Sequence, residues 1–519
     1  MEDIIIRGGT VVDGTGAPGY KADVEVRGGI ITAVGAVPER VGAKILDAEG
    51  LTVAPGFIDA HAHSDTSFLL DNSGASKLYQ GITTEISGNC GSSPFPAREA
   101  ACGEDAWKCP SFADFLGRFE RGGYKMAVNQ AMLVGHGSLR ERVIGPEDRP
   151  PTKEELTMMR DLLRRDMEAG AWGMSMGLEY APGCYAGREE LAALSRVVRE
   201  HDGIVTCHMR SEGLRIDEAV RELKYVGQVS GAHVHISHLK LDNFRVHGRA
   251  PEVWGLIEEA RREGVRMTAD MYPYTASCTT LTIRCPRWSL DGGDEKLLRR
   301  LEGPERGKIV AGIREHYYNA ERADTCLFSD DGGLWPGIVG KTLKAVAEEM
   351  LGTDDYAEAA SQVLIRTRAR AWGIFFVMDE KDMLYFMNRD VNIGSDGRAL
   401  SGDPEKVRMK PHPRVYGAVA EFFRLVREKK ICALEEAVRR VTGSAADRFG
   451  LTDRGCLAVG KAADITVFDP EAIAPRATYL DPVRTAQGVR HVIVGGQTAL
   501  ENGVQTAARA GRFLRKRGA

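Results

Sequence analysis

The chain of 519 residues has no C-x-x-C pair, although it holds ten cysteines, and this argues against a disulfide framework or a structural zinc finger. It has no window near the ~18 uncharged apolar residues that a membrane span needs. No G-x-G-x-x-G or Walker loop follows a strand-like run, so nucleotide binding is not indicated. Aromatic residues are few, at 7%, and neither sign of charge dominates: 69 basic and 73 acidic residues leave a net charge of −4. A balance so near zero offers no field for nucleic acid or an anionic membrane. The opening MEDIIIRGG has acidic residues where a secretory signal needs basic ones, so no leader is expected and a cytoplasmic setting is. Solenoid repeats are also missing. The composition is silent on oligomeric state.

What is present is an ordinary globular composition, 43% hydrophobic and 27% charged, with 59 glycines, enough to mark many tight turns. The length predicts two to four domains. The first fifty residues read as short strands broken by Gly-Gly, Asp-Gly and Pro-Gly: IIIRGGTVVDG, DVEVRGGIITAVG and AKILDAEGLTVAPG. The last seventy read alike, in ADITVFDP and RHVIVGGQTALENG. One small β domain assembled from both termini is expected, from residues 1–57 and 448–519.

Between them, over residues 58–447, short apolar runs alternate with helical stretches. The runs include AMLVGHG, GIVTCHM, AHVHISHLK, RMTADMY and VNIGSDG. PTKEELTMMRDLLRRDMEAG shows a complete helix plan: Thr152 and Glu155 as a capping box, Leu156, Met159, Leu162, Leu163 and Met167 on one face, Gly170 past the end. Repeated β–α units predict a parallel sheet, either a (β/α)8 barrel or a doubly wound sheet. Residues 288–330, dense in charge and interrupted by glycine, predict an excursion from it.

The chemistry sits at the C-terminal ends of the predicted strands, the catalytic face of such a barrel. His61 and His63 lie two apart in FIDAHAHSD and point to one side if extended. Cys90 follows ITTEISGN, His208 ends GIVTCH, His238 ends HVHISH, and Asp396 follows VNIGS. Four imidazoles, a thiol and a carboxylate form a donor set suited to zinc. Each taken alone is more often structural; five successive strand ends bearing such residues argue for a metal site. His201, His233, His235 and His247, and the nine other cysteines, are expected to be structural.

At these residues the sequence resembles the N-acyl-D-amino-acid deacylases, or D-aminoacylases, of the amidohydrolase superfamily. PGFIDAHAHSD matches the His-x-His strand, GITTEISGNCG the segment of a bridging Cys, and CHMRSEG, HISHLK and GSDG the remaining metal-site motifs. The likeness runs end to end, through PHPR at 411–414 and GKAADITVFD. It implies an α/β fold with a (β/α)8 TIM-type barrel and a small β-sandwich from both termini. It implies one zinc held tightly by Cys90, His208 and His238, and a weaker second position at His61, His63 and Asp396. Asp396 would take a proton from the attacking water and pass it to the leaving amine.

The same resemblance assigns Lys240, Tyr272 in MYPYTAS and Arg414 in PHPR to the α-carboxylate of a small-molecule substrate. Tyr180 and Tyr185 of GLEYAPGCYAG would line the pocket. Where LTIRCPRWSLDGG departs from the family pattern, Arg284 and Arg287 are candidates for reading an acidic side chain, D-glutamate or D-aspartate; a solvated loop arginine is the equal alternative. Two other activities stay open: a different amidohydrolase, such as a cyclic-amide hydrolase or a deaminase, and a metal-binding protein without catalysis.

Overall fold

Eight parallel strands close on themselves in the computed structural model, which describes residues 2–98 and 107–516. In chain order the barrel strands are Phe57–Asp59, Ile82–Ser87, Asn129–Met132 continued by Val134–Gly135, Gly173–Gly177, Ile204–His208, His233–Ile236, Met267–Met271 and Asn392–Ile393. Each pairs in parallel with its successor. The eighth closes onto the first: Ala60 N donates to the Ile393 carbonyl at 3.1 Å, and Ala62 bridges Gly397. Parallel strands are buried on both faces, which explains why GIVTCHM and its like read as continuous apolar runs.

The crossover helices show why these segments fold as they do. In Lys153–Glu168, Thr152 Oγ1 accepts the Glu155 amide at 3.2 Å, and Glu155 Oε2 accepts the Thr152 amide at 2.8 Å. This reciprocal cap is worth about 1 kcal/mol. Met159, Leu163 and Met167 are buried, while Leu156 and Leu162 are partly so. Ile216–Ser230 and Ala250–Arg262 repeat the plan over DEAVRELKYVG and PEVWGLIEEARREG.

The two ends of the chain meet in a β-sandwich. One sheet orders Ile30–Gly35, Asp23–Arg27, Ile4–Arg7 and Lys44–Asp47. The other joins Thr52–Pro55 of the N-terminal part to Ile465–Phe468 of the C-terminal part, antiparallel, with Val53 opposite Val467. Ile4, Ile6, Val24 and Val26 from the first sheet meet Val53, Ile465, Val467 and Ile493 from the second in one apolar core. Each such buried side chain contributes about 1.5–3 kcal/mol. The last strand, Phe513–Leu514, leaves the sandwich and pairs with barrel strand three. The C-terminus thereby staples the two domains.

The excursion is wider than the expected 288–330. Ser277–Thr280, Cys326–Asp330 and Trp372–Phe375 form an antiparallel sheet with the last in the middle. Helices Gly293–Glu302, Arg306–Arg314 and Tyr356–Arg366 pack with it around a separate core that includes Leu297, Leu301, Ile309, Ile313, Val363 and Leu364. Its strand partners are far apart in sequence, so charge density marked only the helices between them. No helix among the described residues is long and apolar enough to cross a membrane. Cys90, Cys184, Cys207, Cys278, Cys285, Cys326, Cys432 and Cys456 are free thiols; Cys102 lies outside the described residues.

Candidate metal centre and substrate cavity

Three of the residues singled out in the sequence occupy backbone that L-residues rarely adopt. Cys90, His238 and Asp396 have φ of 52°, 37° and 46°, each just past a barrel strand. Such left-handed turns cost energy and persist where surrounding structure over-determines them. Here the chain turns sharply off the strand and directs these side chains over the barrel mouth. Close backbone contact braces the turn at Cys90: a Cβ on Gly177 would lie 2.0 Å from the Cys90 carbonyl oxygen, and one on Gly91 2.6 Å from Gly177 N. Only glycine fits at either position.

The donor atoms converge. Cys90 Sγ lies 3.3 Å from His61 Nε2 and 3.3 Å from His238 Nε2. His208 Nδ1 is 3.0 Å from His238 Nε2, and Asp396 Oδ1 is 3.0 Å from His63 Nε2 and 3.7 Å from His61 Nε2. Donor atoms of His61, Cys90, His238 and Asp396 all fall within 4.8 Å of one another, as do those of His208, Glu212 and His238. All six residues anticipated from the motifs are thus brought together. Tetrahedral zinc with ~2.0–2.3 Å bonds spaces its ligands about 3.3–3.8 Å apart; the separations of Cys90 from His61 and His238 and of His61 from Asp396 fall in that range, and the two 3.0 Å contacts are slightly shorter.

The nitrogens facing away from the centre also fit. His61 Nδ1 is 3.4 Å from Asp270 Oδ2, His238 Nδ1 is 2.9 Å from Glu212 Oε1, and His208 Nε2 is 2.9 Å from Glu179 Oε2. One ring nitrogen inward and the other on a carboxylate is the arrangement that orients metal-ligating histidines. Asp270 further accepts the His238 amide at 2.7 Å and holds His235 Nε2 at 2.9 Å. Sequence reasoning missed Asp270, Glu212 and Glu179 as partners. The signals were there: Glu212 follows four residues after His208 in HMRSEG, and Asp270 lies near the end of a strand, two residues before Tyr272.

The electrostatics ask for positive charge. Burial disfavours ionisation of Cys90, yet the neighbouring His61 and His238 outweigh it and hold the thiol well below its ordinary range. Burial likewise opposes the charged imidazoles, but Glu212, Cys90 and Glu179 push His208 up to about 10, and Asp396 and Cys90 push His63 up to about 9. Asp396, though buried, is held well below the usual carboxylate range by Arg414, His238 and His63. A thiolate and several carboxylates around one point thus recruit cations, the role a divalent metal fills.

Over this cluster opens a cavity of about 440 Å³, within the usual range for a small ligand. Lys240, Tyr272, Arg414 and Tyr180 line it, as does Cys278, a thiol that sequence reasoning left as structural. Lys240 Nζ pairs with Glu212, and both Lys240 and Arg414 stand over the buried Tyr272 ring, with Nζ 5.8 Å and the guanidinium carbon 4.4 Å from its centroid. Tyr272 Oη and Arg414 Nη1 have no partner among the described residues. Tyr180 Oη is 3.0 Å from Thr279 Oγ1, and its ring centre is 4.7 Å from that of His208.

Three expected pocket residues stand elsewhere. Arg287 is exposed, pairs with Asp148 at 3.2 Å, and caps the Tyr185 ring at 5.3 Å. Both are outside the cavity lining, because the turn at Arg287–Leu290 faces the loop of Asp148 instead. Arg284 stacks on Phe375 of the excursion sheet at 4.3 Å, behind the cavity wall, where it faces Asp242 and Glu179.

Residues 44–279 and 397–500 match the amidohydrolase family model. The unmatched stretch contains most of the excursion. The chain is 35% identical, over 99% of its length and 96% of the relative's, to N-acyl-D-glutamate deacylase of Alcaligenes xylosoxydans xylosoxydans. It is 34% identical to D-aminoacylase of the same organism, over 99% and 97%. The crystal structure of N-acyl-D-glutamate deacylase from Bordetella bronchiseptica, complexed with zinc and a phosphonate mimic of the tetrahedral intermediate, superposes with a TM-score of 0.84 at 32% identity, covering 99% of both chains. The chain belongs to the amidohydrolase family, among its N-acyl-D-amino-acid deacylases (D-aminoacylases).

Proposed function

We propose that this protein is a zinc-dependent hydrolase that cleaves N-acyl-D-amino acids to a D-amino acid and a carboxylate. The observation that carries the reading is the convergence of His61, Cys90, His238 and Asp396 donor atoms within 4.8 Å beneath a small-molecule cavity. Cys90, His208 and His238 would hold one zinc tightly, and His61, His63 and Asp396 a second, weaker one. Bound zinc supplies Lewis-acid polarisation of the amide carbonyl and activation of water. The chain's own groups do the rest. Asp396, kept ionised, takes a proton from water and returns it to the leaving nitrogen, which must be protonated to depart as an amine. Lys240, the unpartnered Tyr272 hydroxyl and the free Arg414 Nη1 receive the α-carboxylate, and Tyr180 borders the substrate beside His208. Glu212, Glu179 and Asp270 keep the imidazoles oriented.

With this activity goes a cytoplasmic setting, in which the Cys90 thiolate stays reduced. The test combines metal analysis of purified protein with a panel of N-acetyl-D- and N-acetyl-L-amino acids and hydantoin. Zinc in the protein and hydrolysis of the D-series are expected. Turnover of hydantoin alone, or none across the amide panel, overturns the reading.

A further inference from the structure

The cavity is lined by three basic side chains of Lys and Arg type: Lys240, Arg398 and Arg414. Two are committed. Lys240 pairs with Glu212, and Arg414 Nη2 lies 2.9 Å from Asp396 Oδ2. Arg398 differs: among the described residues its guanidinium makes no hydrogen bond and no ion pair, it is exposed to the cavity, and the charge it faces is the Asp65 carboxyl, which also lines the cavity.

The backbone beneath it is pinned. Ala399 N donates to Ser64 Oγ at 2.7 Å, the Arg398 carbonyl accepts from Ser76 Oγ at 3.3 Å, and Gly397 bridges Ala62, just past the first strand. A pinned loop thus presents an exposed cation, free of hydrogen bonds among the described residues, two residues beyond Asp396. It stands where the ends of strands eight and one meet, whereas Lys240 and Tyr272 stand beyond strands six and seven. The cavity therefore has two separate places for negative charge. The proposed reaction uses only one, for the α-carboxylate.

We propose that Arg398 is a specificity residue that binds a second carboxylate in the substrate, placed on the amino-acid side chain or on the acyl group. The proposal rests on the deacylase reading above. Its chemistry is a charge-assisted, two-toothed contact between guanidinium and carboxylate. The cavity's other carboxylates raise the opposite expectation of a cationic substrate, since Glu141 is exposed, Asp330 lies at the lining, and the half-buried Asp65, with Oδ1 unpartnered among the described residues, faces Arg398. Asp330 Oδ1 is, however, occupied by the Gly332 amide at 3.0 Å.

The test compares kcat/KM for pairs that differ in one charge, in the wild-type zinc-loaded enzyme and in Arg398→Met. N-acetyl-D-glutamate against N-acetyl-D-glutamine probes the side chain; N-succinyl-D-leucine against N-butanoyl-D-leucine probes the acyl group. At least one pair is expected to favour the dianion tenfold or more in the wild type, and that ratio is expected to fall at least tenfold in the variant. The pair that responds identifies which side carries the charge. Ratios near one in the wild type, ratios untouched by Arg398→Met, or a preference for N-acetyl-D-lysine overturn the proposal while N-acetyl-D-leucine turnover leaves the deacylase reading intact. Failure to hydrolyse any N-acyl-D-amino acid overturns both.

Discussion

Arg414 Nη2 stands 2.9 Å from Asp396 Oδ2, and Arg414 Nε donates to the Asp396 carbonyl at 3.1 Å. One guanidinium thus grips both ends of the residue assigned to proton transfer, and its third nitrogen remains free for substrate. Asp396→Asn is expected to keep the tightly held zinc and to lose at least ~100-fold in kcat, the lower bound for a general acid–base. Near-normal turnover would remove Asp396 from the reaction. Arg414→Lys keeps the charge but not the fork, and kcat/KM should fall about tenfold or more.

Cys90 bridges the two halves of the centre, with Sγ 3.3 Å from both His61 Nε2 and His238 Nε2. Cys90→Ala should purify with little zinc, as measured by elemental analysis. Full zinc content in that variant would refute a thiolate ligand.

Lys77 is a fully buried cation under the centre. Its Nζ is 2.9 Å from Asp59 Oδ2, 3.0 Å from Glu85 Oε1 and 2.7 Å from Ser395 Oγ. Removing it strands two carboxylates in the interior, a change that typically costs about 3–5 kcal/mol. Lys77→Met should show that loss in urea denaturation followed by circular dichroism; a change below about 1 kcal/mol would mean the cluster is dispensable.

Asp166, away from the centre, makes stability depend on pH. Burial raises its carboxyl to about 6, against the pull of Arg165. The folded state therefore binds this proton more tightly than the unfolded state does. Its contribution is complete below about pH 4 and is lost as pH rises through about 6, at no more than about 1.4 kcal/mol per pH unit. Asp166→Asn should gain on the wild type across that window and hold a constant difference above it. Parallel denaturation curves from pH 4 to 7 would contradict the assignment.

The barrel was legible because its signals are local. Apolar runs ending in His or Asp, and helices such as Lys153–Glu168 with a cap at one end and glycine past the other, state their own structure. The six donor residues were legible for the same reason, since each sits at a strand end that periodicity marks. The bounds of the excursion were not, because Ser277–Thr280 finds its partner Trp372–Phe375 only across a long intervening stretch.

What the sequence by itself determined is therefore the alternation of strand and helix, the pairing of the two β-rich ends, and the kind of atom offered at each strand end. Only the tertiary structure decided which charges meet. Arg284 and Arg287 stood in a segment that invited a pocket role, yet one stacks on Phe375 and the other pairs with Asp148. Arg398, unremarked in GSDGRAL, faces the cavity. Asp270, Glu212 and Glu179 became the supports of His61, His238 and His208 only when five strands met at one mouth. The physical reason is that secondary structure follows from neighbours within a few residues. Electrostatic partnership depends on distances through space, which barrel closure sets and spacing along the chain does not encode.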